Sequence, residues 1–202
     1  EVLQAFAQLR DFEAGLVFGG SRADSIRNGL RHRIEHVQVI HPDDAGRLAE
    51  LGVIASMQPL HATSDMKMAE LYWGERATLS YAWRTQLAHG AVLAFGSDAP
   101  VESPNPFWGI HAAVTRQRID GTPGYQGWYP EQRLHVNEAL RAYTVGAAFA
   151  GMAEKHLGRI EPGYLADLVV LNENPFTCPP ERIHEVHSVA TMVGGEWDLS
   201  EL

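Results

Sequence analysis

AVLAFGSDAP, residues 91–100, is an apolar run that ends in a carboxylate, Asp98, and is stopped by Pro100. Such a run reads as a strand buried on both faces, the kind that parallel sheets carry. An unpaired buried carboxylate is costly, so Asp98 needs a proton, a cationic partner, water or a metal ion. Working back along the chain, VIASMQP (53–59) and the alternating, β-branched HRIEHVQVI (32–40) read as two further strands. HPDDAGRLAELG (41–52) lies between them, with Pro42 and two acids at its start and Gly52 as C-cap, and predicts a short helix. HATSDMKMAELYWGERA (61–77) reads as a polar stretch leading to a helix over LSYAWRTQLAHG (79–90). Strands separated by helices predict a parallel α/β arrangement, in which chemistry gathers at the carboxyl ends of the strands. His36, Gln58, His61 and Asp98 all fall there.

The flanks complete the outline. Val2, Leu3, Phe6 and Leu9 follow helical spacing and predict an opening helix, followed by a Gly-rich connection over 16–29. Beyond Pro100, residues 105–119 predict a helix, 120–134 a long loop rich in Gly, Pro and aromatics, and 136–151 a helix of small residues. From Leu157 the pattern changes to short β segments. The expected division is 1–156 and 157–202.

Bulk composition narrows the function. The chain has 202 residues, 45% hydrophobic, with a formal charge of -9, so it has material for a core and no basic patch for nucleic acid. No apolar run approaches the roughly 20 residues of a membrane span. The lone Cys178 forms no internal disulfide, and the default expectation is a cytoplasmic setting. The first methionine is Met57, so the translated product is expected to begin upstream of Glu1. A small-molecule substrate is the expected partner.

Histidine and aspartate at adjacent strand ends are the side chains that hold zinc. His36 is the candidate ligand, because His32 and His36 on one strand lie about 13 Å apart and cannot share an ion. For Asp98 the competing reading is a turn or helix-capping aspartate; the preceding Phe-Gly-Ser, which lets backbone and ligand approach closely, favours the site. Gln58 and His61 are expected to contact substrate. Trp108, Trp128 and Tyr129 are candidates to line an apolar or aromatic pocket, with Trp128 preferred. Glu102 reads as a solvated loop acid, Arg116 as an exposed helical arginine and His184-Glu-Val-His187 as surface. No Ser-His-Asp order, nucleophile elbow or phosphate loop is present, which argues against a nucleotide-binding domain.

LRHRIEHVQVIHPDDAGRLAELGVIASMQPLH (30–61), LAFGSDAPVESPNPFWGIHAAVTRQ (93–117), GWYPEQRLHVNEALRAYT (127–144) and LGRIEPGYLADLVVLNENPF (157–176) together resemble amidohydrolase family 3, the group similar to N-substituted formamide deformylases. The resemblance implies a metal-dependent (β/α)8 TIM barrel with a small β-sandwich built from both chain ends. It makes RIEHVQ the sixth strand with His36 as metal ligand, GVIASMQPLH the seventh, and LAFGSDAP the eighth, with Asp98 as metal ligand and general base. The implied cofactor is a divalent cation, with Zn2+ favoured, and the implied reaction is hydrolysis of a carbon–nitrogen bond in an amide or formamide.

The family's His-x-His, fourth-strand ligand and fifth-strand histidine have no counterpart here. The chain is therefore expected to be the C-terminal part of a longer enzyme, inactive alone, with open sheet edges that favour a homo-oligomer. The alternative is a non-catalytic remnant that binds or regulates, as some relatives described as exoenzyme regulators do.

Overall fold

The computed structural model describes residues 3–4 and 31–198, so the Gly-rich connection and all of the expected opening helix except Leu3 and Gln4, which are helical, lie outside the described residues. Three parallel strands form the first sheet in the order β1 (Arg33–Glu35), β2 (Ile54–Met57) and β3 (Leu93–Phe95). Arg33 is paired with Ile54 and Ala55 with Leu93, so the three carboxyl ends lie on one side. Helix α1 (Arg47–Leu51) crosses from β1 to β2. Gly52 ends it in the left-handed conformation at φ 68°, its N–H donating to the last carbonyls of the helix. Ile54, Ala55, Met57 and all of β3 are buried, as a sheet covered on both faces requires.

Two helices connect β2 to β3. The first, α2 (Pro59–Trp73), begins on Pro59, whose fixed φ suits the first helical turn. It occupies the stretch read as a polar lead-in to the next helix. Its buried positions Ala62, Thr63, Met66 and Ala69 have helical spacing, but small and polar residues hide that stripe from a hydrophobicity reading. The second, α3 (Trp83–Ala88), is a shorter version of the expected helix.

After β3 comes α4 (Pro106–Thr115), where the Asn105 side chain accepts from the Phe107 N–H. The long loop of residues 120–134 follows, as expected. The small-residue helix is then α5 (Val136–Arg141), a π-helical turn (Ala142–Gly146) and α6 (Ala147–Ala150). Gly146 meets β3 so closely that a Cβ there would lie 2.0 Å from the Leu93 carbonyl oxygen.

A second, antiparallel sheet comprises β4 (Leu168–Leu171), β5 (Ser188–Val193) and β6 (Glu196–Asp198). The turn Pro180–Glu185 leads into it and packs on α4, burying Ile183 and Val186 completely.

Two local expectations are corrected. The strand foreseen over 32–40 stops after Glu35, because His36 and Val37 adopt φ of 69° and 44°, a left-handed turn that no strand continues through. Arg116 is not exposed: it caps α4 in the left-handed conformation and is fully buried between Trp83 and Trp128. Its guanidinium donates to the carbonyls of Trp128, Tyr81 and Ser80, and burial pushes its pKa down to about 9.

Candidate metal centre

The left-handed turn at His36 directs the chain off the end of β1, and a backbone bond of 2.7 Å from the His36 N–H to the Ser56 carbonyl ties that turn to β2. At the end of β3 the same device recurs. Asp98 has φ 60°, and its carbonyl accepts from the Val101 N–H at 2.8 Å. Gly96 joins the end of β3 to β2 through a bond from its N–H to Met57 O. The half-buried Tyr143 has its hydroxyl 3.4 Å from the Gly96 carbonyl; desolvation pushes this phenol well above its usual pKa, so it stays a neutral donor.

These turns bring His36, His61 and Asp98 together. One donor atom from each lies within 4.8 Å of the others. His61 Nε2 is 3.2 Å from Asp98 Oδ2, and the rings of His36 and His61 are 5.4 Å apart between centroids. His61 stands on the first turn of α2, with its side chain 10% exposed, while Asp98 is 38% exposed and reachable from solvent.

Each imidazole also has a further polar neighbour. His36 Nδ1 lies 2.8 Å from Gln58 Oε1. His61 Nδ1 lies 3.7 Å from Glu102 Oε1, and Glu102 accepts a 2.5 Å hydrogen bond from Ser64 Oγ. Sequence reasoning missed Ser64 and treated Glu102 as a solvated loop acid. Its place four residues after Asp98, on the rim of the same strand end, was the available signal.

Of the expected substrate contacts, Gln58 lies beside the cluster and Trp128 lies away from it. Gln58 is buried against His36. Trp128 is in the core beside Arg116 and Tyr129, and its indole N–H donates to Glu70. Glu70 is nine residues beyond His61 on α2, about 14 Å along the helix, so Trp128 is not brought to the histidine–aspartate cluster.

Two imidazoles and a carboxylate are the donor types that zinc takes. A tetrahedral ion with bonds of about 2.1 Å spaces its donors about 3.4 Å apart. The His61–Asp98 pair is close to that spacing, and the third donor lies within 4.8 Å, at most about 1.4 Å beyond it, so the residues fit a cation.

A model of the amidohydrolase family matches residues 11–197. The chain belongs to the amidohydrolase family. Among amidohydrolase relatives, N-substituted formamide deformylase of Arthrobacter pascens is 28% identical over 165 residues, covering 81% of this chain and 30% of that protein. Protein LONG AFTER FAR-RED 3 of Arabidopsis thaliana is 39% identical over 169 residues, covering 82% of this chain and 28% of that protein. The crystal structure of an uncharacterized metal-dependent hydrolase from Pyrococcus horikoshii OT3 superposes with a TM-score of 0.66 at 30% identity, covering 76% of this chain and 31% of the other. The chain thus spans less than a third of the length of these relatives. Among the described residues, no helix is long and apolar enough to cross a membrane.

Proposed function

We propose that this chain supplies one side of the metal centre of a hydrolase that cleaves carbon–nitrogen bonds in small amides or N-substituted formamides. In this reading β1, β2 and β3 are the sixth to eighth strands of a (β/α)8 barrel, residues 1–156 belong to that barrel, and 157–202 belong to a β-sandwich. The single observation that carries the proposal is the meeting of His36, His61 and Asp98 at the carboxyl ends of the parallel strands. The likeness to a formamide deformylase supports the bond type.

His36 and Asp98 hold the cation, for which Zn2+ is the best chemical match, and His61 completes the donor set this chain offers. That places His61 with the ligands and not with the substrate contacts expected from sequence. When bound, the cation supplies an activated water and polarises the scissile carbonyl. Asp98, the most solvent-accessible of the three, accepts the proton from the attacking water and returns it to the leaving amine. Water and amide become a carboxylic acid and an amine, or formic acid and an amine: one water proton passes through Asp98 to the leaving nitrogen, and the other stays on the new carboxyl group, from which it ionises. His36 and His61 fix the geometry, and Glu102 with Ser64 restrains His61 from behind.

The test uses the protein in its full native length. Zinc content and hydrolysis of a series of N-substituted formamides are measured for wild type and Asp98→Asn. Removal of the general base is expected to lower the rate by about 100- to 10,000-fold. Equal rates would remove Asp98 from this role, and a wild-type protein without zinc would turn the reading towards a non-catalytic binding or regulatory protein.

A further inference from the structure

We propose that Gln58 is a positioning residue that holds His36 as its Nδ1–H tautomer, leaving Nε2 as the nitrogen with a lone pair to give. The inference rests on the metal reading above and replaces the substrate contact that sequence assigned to Gln58.

Gln58 Oε1 sits 2.8 Å from His36 Nδ1. A carbonyl oxygen can only accept, so the ring nitrogen facing it must carry the hydrogen. A neutral imidazole has one N–H, so its second nitrogen is a bare donor to a cation. Had the amide nitrogen faced the ring, the tautomer would be reversed and Nε2 would present a hydrogen to any incoming ion.

Enclosure makes the contact a fixture. Gln58 is 7% exposed, which leaves little of the amide for a substrate. It lies between Met57, whose carbonyl accepts from Gly96, and Pro59, which starts α2. His36 is also bonded through its own N–H to Ser56, two residues before Gln58. Backbone and ring of His36 are therefore both referred to the end of β2. A residue in the left-handed region needs such surroundings to persist, and these two bonds provide them.

The test reads the tautomer directly, in the metal-free protein of full native length. Ring-nitrogen NMR is recorded at about pH 8, above the ordinary imidazole range. The His36 signals are identified by their loss in His36→Gln. Wild type is expected to show a protonated Nδ1. Gln58→Leu, with no acceptor, is expected to move the hydrogen to Nε2 and to weaken zinc binding by about 10- to 100-fold in competition with a chelating dye. Gln58→Glu keeps an acceptor and is expected to restore both readouts.

A protonated Nε2 in wild type would overturn the inference, as would zinc affinity in Gln58→Leu within twofold of wild type. If Gln58→Leu fails to fold, the wild-type and Gln58→Glu spectra still decide the tautomer. A wild-type protein that binds no zinc would sink the metal reading, while the spectra would still support or overturn the role of Gln58.

Discussion

β1–β3 and β4–β6 are both three-stranded, yet they stand in opposite relation to water. The strands β2 and β3 are almost wholly buried, whereas Val169 and Val170 of β4 and Trp197 of β6 are exposed. Helices pack against β2 and β3, while the edge strand β1 leaves Arg33 and Glu35 exposed; Val169 and Val170 point to opposite faces of β4, so neither face of the second sheet is closed there. The three clustered side chains all stand at the end of the buried sheet. A polar cluster needs walls that do not yield, and close packing provides them.

The largest expected effect comes from the cation buried behind that sheet. Arg116→Ala removes three hydrogen bonds to buried carbonyls and empties the space between two indoles, so a loss of about 4 kcal/mol is expected in urea unfolding. Met57→Ala in β2 is expected to lose about 2–5 kcal/mol, against under about 1 kcal/mol for Val169→Ala in β4. Equal losses from that pair would break the contrast between the sheets. Gly146→Ala sharpens it: the new Cβ would lie 2.0 Å from Leu93 O, forcing the π-helical turn off β3 at about 1–3 kcal/mol.

A pH-dependent effect concerns the seam between the regions. His111 of α4 lies 5.1 Å, between ring centroids, from His184 of the turn that leads into the second sheet. Burial, and then the neighbouring His184, push the His111 pKa from its ordinary 6.5 down to about 4. The unfolded chain therefore binds the proton first as the solution is acidified. Stability from this group is complete above pH 6.5 and declines as pH falls from 6.5 towards 4. His111→Gln should remove that slope from a pH series of unfolding midpoints.

Much of the parallel half was legible because burial writes itself into composition. Val53–Met57 and Ala91–Phe95 are apolar runs, and Gly52 and Pro106 mark helix boundaries by their backbone chemistry alone. Helix α2 was not legible, since Ala62, Thr63 and Ala69 bury a face without hydrophobic bulk. The residues at the site were named from strand ends, but their partnerships were not. That His61 faces Asp98, and Gln58 faces His36, depends on how adjacent strands register, which no single segment encodes. Arg116 and Trp128 were misplaced for a related reason: a cation between two indoles satisfies its donors on distant carbonyls.

The backbone at His36 and Asp98 restricts what chemistry these positions can hold. Both lie in the left-handed region, where branching at the β-carbon is disfavoured and where asparagine, aspartate, histidine and glycine are most at home. Asparagine in place of either residue therefore preserves the turn while changing the donor, which isolates chemistry from shape. Val37, at φ 44°, shows that this turn accommodates a branched side chain at a cost, so valine or isoleucine at either position would add backbone strain and remove the donor at the same time.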